Sequence, residues 1–253
     1  MTQSTHGQTS QAGRIALVTG ASRGIGRACA IGLAQARAHV IACARTKSAL
    51  EELDDAIFAA TRRHATLIPF DLTDFDSVDR LTQALADRYG RIDVLVHAAA
   101  ILGPLSPVTH HEVKDFERIM KVNFMASWRL IRALDPLLRL SSSGRALFFT
   151  TGDSVVEGRA FWGPYGASKA ALESLVRAWA DEIEITPIRT AIIDPGAMRT
   201  KMRASAYPGE DPESLPPPEA IIDLILTLAD PNRTPSRATV HFKDAITRAY
   251  AAS

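Results

Sequence analysis

A chain of 253 residues is long enough for one sizeable core and fits one large α/β domain better than two small ones. Its 29 Lys and Arg balance 28 Asp and Glu to a net charge of +1, so no bulk electrostatic case exists for nucleic acid or a membrane, and the expected partner is a small molecule. With 46% hydrophobic and 23% charged residues the composition is that of an ordinary globule, and the apolar runs fall far short of the roughly 20 residues of a membrane span.

Met1 to Gly13 is rich in Gln, Ser and Thr without an apolar core or basic cluster, and reads as a disordered tail instead of a signal peptide or anchor. Residues 14–253 are expected to form one domain. Ile15 to Val18 is a short apolar strand, punctuated by Gly20, Gly24 and Gly26 before a helix from about Arg23 to Ala36. His39 to Cys43 follows as a strand and Ser48 to Arg63 as a helix. Ala65 to Phe70 is a third strand, and Asp74 can cap a helix whose Phe75, Val78, Leu81, Leu85 and Tyr89 recur at helical spacing. Ile92 to Val96 is a fourth strand. A long helix is expected from about His111 to Leu140, bent or broken near Pro136. The remaining elements are a strand at Ala146 to Thr150, a helix at Pro164 to Ile183, a strand at Ile188 to Ile193, a helix near Pro218 to Leu228 and a last strand at Ala238 to Phe242.

Strands that are apolar throughout and alternate with helices predict a doubly wound, Rossmann-type α/β domain with a parallel sheet of about seven strands and helices on both faces. Ligands then bind beyond the carboxyl ends of the strands, after Val18, Cys43, Phe70, Val96, Thr150 and Ile193. Cys29 and Cys43 form no disulfide framework or metal spacing, which fits a reducing, cytoplasmic setting. His110 and His111 lack the spacing of ligands, so no metal site is expected.

Two stretches could carry chemistry. The glycine turn after the first strand lets backbone N–H groups approach a diphosphate placed over a helix N-terminus. Tyr165 and Lys169 stand at i and i+4 of a helix, so the phenol and the ammonium can approach each other. Lowering a tyrosine pKa by about three units takes roughly 4 kcal/mol, and one cation about 4 Å away supplies energy of that order at an effective dielectric near 20.

The combination of T-G-A-S-R-G-I-G at Thr19 to Gly26, Asp71-Leu72, Asn123 in K-V-N-F, Y-G-A-S-K at Tyr165 to Lys169 and P-G-A-M-R-T at Pro195 to Thr200 closely resembles the short-chain dehydrogenase/reductase family. The likeness covers nearly the whole chain after the tail. It implies that Tyr165 donates a proton to a carbonyl oxygen while NAD(P)H delivers a hydride to its carbon. Lys169 would lower the tyrosine pKa and hold the nicotinamide ribose, Asn123 would position a water, Thr200 would touch the nicotinamide carboxamide and Asp71 the adenine. The likeness further implies cofactor contacts from Gly20, Ser22, Arg23, Gly24, Ile25 and Gly26 in the turn, from Leu72 and Ala98, and from Pro195 and Gly196. A homodimer or homotetramer through the helices of Asn123 and Tyr165 is implied as well.

Two positions depart from the family pattern. Its usual N-N-A-G is here His97-Ala98-Ala99-Ala100; if the last position needs a positive φ, alanine costs about 1 to 2 kcal/mol and the loop should change shape. Its active-site serine is replaced by Gly152, leaving Thr151 as first candidate for the missing hydroxyl and Ser154 as second.

An acidic residue about 20 positions beyond such a turn bonds a ribose 2′-hydroxyl, whereas arginine accommodates a 2′-phosphate. Here Ala44 is followed by Arg45, and the turn contains Arg23. Two cations without a carboxylate favour NADP(H), with NAD(H) as the alternative.

The resulting expectation is an NADP(H)-dependent reductase of a ketone or 3-oxoacyl carbonyl, reversible as an alcohol dehydrogenase. The competing reading is a non-catalytic dinucleotide-binding homologue acting as a sensor or assembly partner; the intact Tyr165, Lys169 and Asn123 favour the enzyme. Met198, Met202 and Ala206 to Pro218 form either a lid over the substrate or a passive connection, and Trp128, Trp162 and Trp179 are expected to be packing residues.

Overall fold

The computed structural model describes residues 10–152, 158–233 and 239–245. Seven parallel strands form one sheet: β1 (Ile15–Thr19), β2 (His39–Ala44), β3 (Thr66–Pro69), β4 (Val94–His97), β5 (Arg145–Phe149), β6 (Arg189–Asp194) and β7 (Val240–His241). Their order is β3-β2-β1-β4-β5-β6-β7. The helices are α1 (Gly24–Gln35), α2 (Lys47–Thr61), α3 (Phe75–Tyr89), α4 (Val113–Met120), α5 (Ala126–Arg139), α6 (Gly163–Glu182), α7 (Lys201–Ala206) and α8 (Ile222–Ala229).

The strands are apolar on both faces because both faces are covered. Along β1, Ala16 and Val18 join a core with Leu33 of α1, Leu50 of α2 and Ile225 of α8. Leu17, between them, points to the other side, into a core with Val78 of α3, Leu130 of α5 and Val176 of α6. This period of two, repeated by Leu147 and Phe148 of β5, makes each strand the partition between two buried layers.

Strand order reverses between β1 and β4, which pair side by side with Thr19 opposite His97. A crevice opens outside the carboxyl ends of strands at such a switch point, and the candidate chemistry collects there.

Three local expectations change. The long helix is two helices, α4 and α5, joined by a π-helical turn at Lys121–Met125 that carries Asn123 inward. Helix α5 runs through Pro136 to Arg139. Proline removes one backbone donor, but Leu134, Leu137 and Leu138 around it are locked in the core, and their burial keeps the helix going. The tail is shorter than expected at its described end, because Gln11 is fully buried and its N–H donates to the Ala36 carbonyl at 2.7 Å. Asp74 does cap α3, accepting from the Ser77 N–H at 3.2 Å.

Candidate active site

The glycine turn leads directly from β1 into α1. Gly20 has φ +68°, and a Cβ there would lie 2.8 Å from the backbone N and Cα of Ala99, so the turn presses against the loop after β4. At Gly26 a Cβ would run into the Gly20 carbonyl, which explains a glycine in the first turn of the helix. The N-cap, Arg23, makes no side-chain cap, and Gly24, Ile25 and Gly26 of the first turn of α1 line the cleft, where a helix leaves its N–H groups without intrahelical partners. That is the cradle an anionic diphosphate requires.

The cleft measures about 870 Å³. Gly20, Ser22, Arg23, Gly24, Ile25 and Gly26 line it, and Ala44, Arg45, Asp71, Leu72 and Ala98 continue the lining along the ends of β2, β3 and β4. Arg23 and Arg45 are exposed and carry no ion pair among the described residues, and Arg27 joins them as a third cation. Asp71 turns its carboxylate onto Thr73, accepting from its N–H and its hydroxyl at 2.8 Å each. At the other end Pro195, Gly196 and Thr200 close the cleft from β6. Thr200 spends its hydroxyl oxygen on the N-cap of α7, and its methyl approaches Gly24 across the opening.

Tyr165 and Lys169 project from the first turns of α6 to the floor of the cleft, both buried. Pro164 sits in the first turn of the helix, fixing φ where no N–H partner is needed. The Tyr165 hydroxyl donates to Met202 Sδ at 3.9 Å, and its ring meets Trp162 edge-on at 5.7 Å. Lys169 Nζ donates to the Phe149 carbonyl at 2.9 Å and lies 5.9 Å from the Tyr165 ring centroid. The expected lowering of the tyrosine does not arise from the protein groups alone. Burial, with a smaller contribution from Asp194, pushes Tyr165 up to about 12, while burial takes Lys169 down to about 8 against the pull of Glu173. Desolvation and Asp194 both favour the neutral phenol, the form a proton donor needs.

Asn123 is buried, and its side-chain amide braces the site. Its Oδ1 accepts from Ile101 N–H, and its Nδ2 donates to the Ile101 carbonyl and to Ser168 Oγ, at 2.9 to 3.0 Å. Both amide donors are thereby spent on protein, so the amide ties the loop after β4 to α6.

Residues 14–211 match the model of the short chain dehydrogenase family. The chain belongs to that family. The oxidoreductase YciK of Escherichia coli K12 is 40% identical over 217 residues, 85% of each chain. A 3-oxoacyl-[acyl-carrier-protein] reductase of rhamnolipid biosynthesis from Pseudomonas aeruginosa is 35% identical, covering 87% of this chain and 85% of its own. A short chain dehydrogenase from Shigella flexneri, solved in complex with NADP, superposes with a TM-score of 0.89 at 36% identity, covering 93% of this chain and 99% of that one. As a short-chain dehydrogenase the protein is an oxidoreductase.

Both departures from the family pattern have physical accounts. Ala100 is not in the left-handed region, so the strain expected there is absent; the positive φ of this loop falls on Gly103, at +74°. His97 closes β4 instead of opening the loop, because it is hydrogen-bonded on both sides. Ser127 Oγ donates to the Asn123 carbonyl at 2.8 Å, so it accepts from His97 Nε2 at 2.8 Å, and His97 Nδ1 then accepts from Thr19 Oγ1 at 2.7 Å. Burial and the nearby Lys169 push this histidine down to about 3, so it stays neutral.

Gly152 stands where Asp194 leaves no room: a Cβ at 152 would lie 2.6 Å from Asp194 Oδ2. That carboxylate is held by His241 Nδ1 at 3.0 Å and by the Gly196 N–H at 3.0 Å. Thr151 lines the cleft at the end of β5. Ser154 lies outside the described residues.

Three contributors carry no motif of their own in the sequence, Asp194, Glu173 and Arg27, whereas Met202, singled out there with Met198, lies against the tyrosine hydroxyl. Local spacing can flag two of them, since Asp194 stands at the carboxyl end of a strand and Glu173 four residues past Lys169. The segment after β6 carries α7 and is held by ion pairs from Arg203 to Glu210 at 2.6 Å and from Arg199 to Glu213 at 2.6 Å. Trp179 is a packing residue, buried with its Nε1 donating to Asp135 at 2.9 Å, whereas Trp162 lines the cleft.

Proposed function

We propose that this short-chain dehydrogenase reduces a carbonyl, of ketone or 3-oxoacyl type, to an alcohol with NADPH. The observation that carries the reading is the placement of a buried Tyr165 and Lys169 in the lining of the cleft that the glycine turn and its cations open. NADPH, when bound, supplies the hydride. Gly20, Gly24 and Gly26 with the α1 N-terminus hold its diphosphate, Arg23 and Arg45 its 2′-phosphate, and Asp71, Leu72 and Ala98 flank its adenosine half. Pro195, Gly196 and Thr200 border the nicotinamide end. Tyr165 presents its hydroxyl proton to the carbonyl oxygen, Lys169 keeps positive charge beside the phenolate that forms, and Thr151 offers the second hydroxyl. The fit is supported by the Shigella relative solved with NADP, and the 3-oxoacyl option by the name of the Pseudomonas relative.

A homodimer or homotetramer belongs to the same proposal, since Val113, Phe116, Met125 and Trp128 leave apolar surface exposed along α4 and α5. A cytoplasmic setting does too; among the described residues no helix is long and apolar enough to cross a membrane. The test is a panel of aldehydes, ketones and 3-oxoacyl thioesters with purified protein and NADPH. Carbonyl-dependent loss of NADPH absorbance is expected with at least one class, and tight NADPH binding without turnover across the panel would overturn the reading.

A further inference from the structure

Lys169 has to stay charged in a buried site, and α6 carries a feature built for that task. Tyr165, Lys169, Glu173 and Arg177 follow one another at intervals of four, on one face of the helix. Glu173 is 5% exposed, which is rare for a carboxylate that is not held on both oxygens. It is so held: Thr150 donates to Oε1 at 2.5 Å, and Arg177 donates to Oε2 at 2.6 Å. Thr150 follows directly on Phe149, whose carbonyl takes the Lys169 ammonium. The end of β5 thus fixes the lysine through one residue and the glutamate through the next.

We propose that Glu173 is a positioning residue that keeps the Lys169 ammonium charged at the floor of the cleft. The proposal rests on the reading of Lys169 as a working group in carbonyl reduction. Several groups face the pair. From β4 comes His97, buried and neutral. From β6 comes Asp194, facing Tyr165 and tied to His241 of β7. Arg177, on α6 itself, is half exposed and also donates to Thr239 at 3.1 Å. Glu173 is thus the buried carboxylate one turn beyond Lys169 on the same face of α6, anchored beside it at the end of β5, and its negative charge opposes the desolvation of the ammonium. Without it the burial effect is unopposed and the ammonium loses its proton at lower pH.

Glu173→Gln keeps the shape and an acceptor for Thr150 while removing the charge. Lysine-selective 15N NMR of the full chain, with the Lys169 signal assigned through Lys169→Arg, reads the ionisation without turnover. The titration midpoint of Lys169 is expected to fall by about one pH unit, and the alkaline decline of kcat/KM to move down with it. Glu173→Asp should recover part of the difference. A midpoint unmoved by Glu173→Gln would overturn the proposal and leave Glu173 as an anchor for Arg177 and Thr150. If that variant does not fold, Thr150→Val, which removes one of the two donors to the carboxylate and so loosens it beside the ammonium, is expected to move the midpoint by a smaller amount, and no shift would again overturn the proposal. A midpoint that moves in a protein reducing no carbonyl would contradict the proposed function and leave the role of Glu173 standing.

Discussion

Tyr165→Phe is expected to lower kcat for carbonyl reduction by about a thousandfold while leaving the Kd for NADPH within about twofold. The substitution removes one hydroxyl and keeps the ring, so the edge contact with Trp162 at 5.7 Å survives. What it loses in the resting protein is a long contact to Met202 Sδ, worth little to stability. What it would lose in the proposed reaction is the proton for the carbonyl oxygen, and positioned proton transfer contributes roughly 10² to 10⁴ in rate. A thousandfold loss corresponds to about 4 kcal/mol of transition-state stabilisation. Steady-state kinetics beside fluorescence titration of NADPH separates the two effects. A variant that retains more than a tenth of wild-type kcat would show that the proton comes from another group, with Thr151 next in line.

Arg45→Asp is expected to weaken NADPH binding by about 10- to 100-fold and to leave NADH binding unchanged or stronger. Hydrogen bonds from a guanidinium to a charged partner contribute roughly 1.5 to 3 kcal/mol, and here the lower half applies because Arg45 is exposed and screened by solvent. The aspartate adds repulsion toward a 2′-phosphate and an acceptor for a 2′-hydroxyl, so the two cofactors should move in opposite directions. Raising the salt concentration should narrow the difference, since both effects act near the surface. Titration of wild type and variant with both cofactors checks this. Equal losses for NADPH and NADH would remove Arg45 from the 2′-phosphate site and leave Arg23 and Arg27 to account for any preference.

The sheet was legible because parallel strands buried on both faces leave an unmistakable record, as in Ile15 to Thr19 or Ala146 to Phe149, and because glycine, capping and i, i+4 rules are local. Asp74 and Pro164 did what their chemistry prescribes. Failures came where a tertiary contact overrides a local rule. Pro136 does not break α5, because three leucines around it are buried. The π-turn that brings Asn123 inward changes the helical phase without any residue that announces it. His97 looked like a loop residue until Thr19 and Ser127, distant in sequence, took both its nitrogens. The tyrosine pKa failed for a related reason: a pair argument counts the lysine, while the burial that opposes it belongs to the whole fold. Gly152 was visible as a departure, but its cause, the Asp194 carboxylate, lies on another strand.

In the proposed reaction the cleft transfers hydride from NADPH to a carbonyl carbon, with Tyr165 supplying the proton. The most direct measurement uses NADPH carrying deuterium at the transferring position of the nicotinamide, a carbonyl substrate found in the panel, and mass spectrometry of the alcohol formed. One deuterium is expected on the carbinol carbon for each NADPH consumed, from one face of the nicotinamide, with the rate of its appearance about a thousandfold lower in Tyr165→Phe. Alcohol that forms without deuterium, or at an equal rate in the variant, would contradict it.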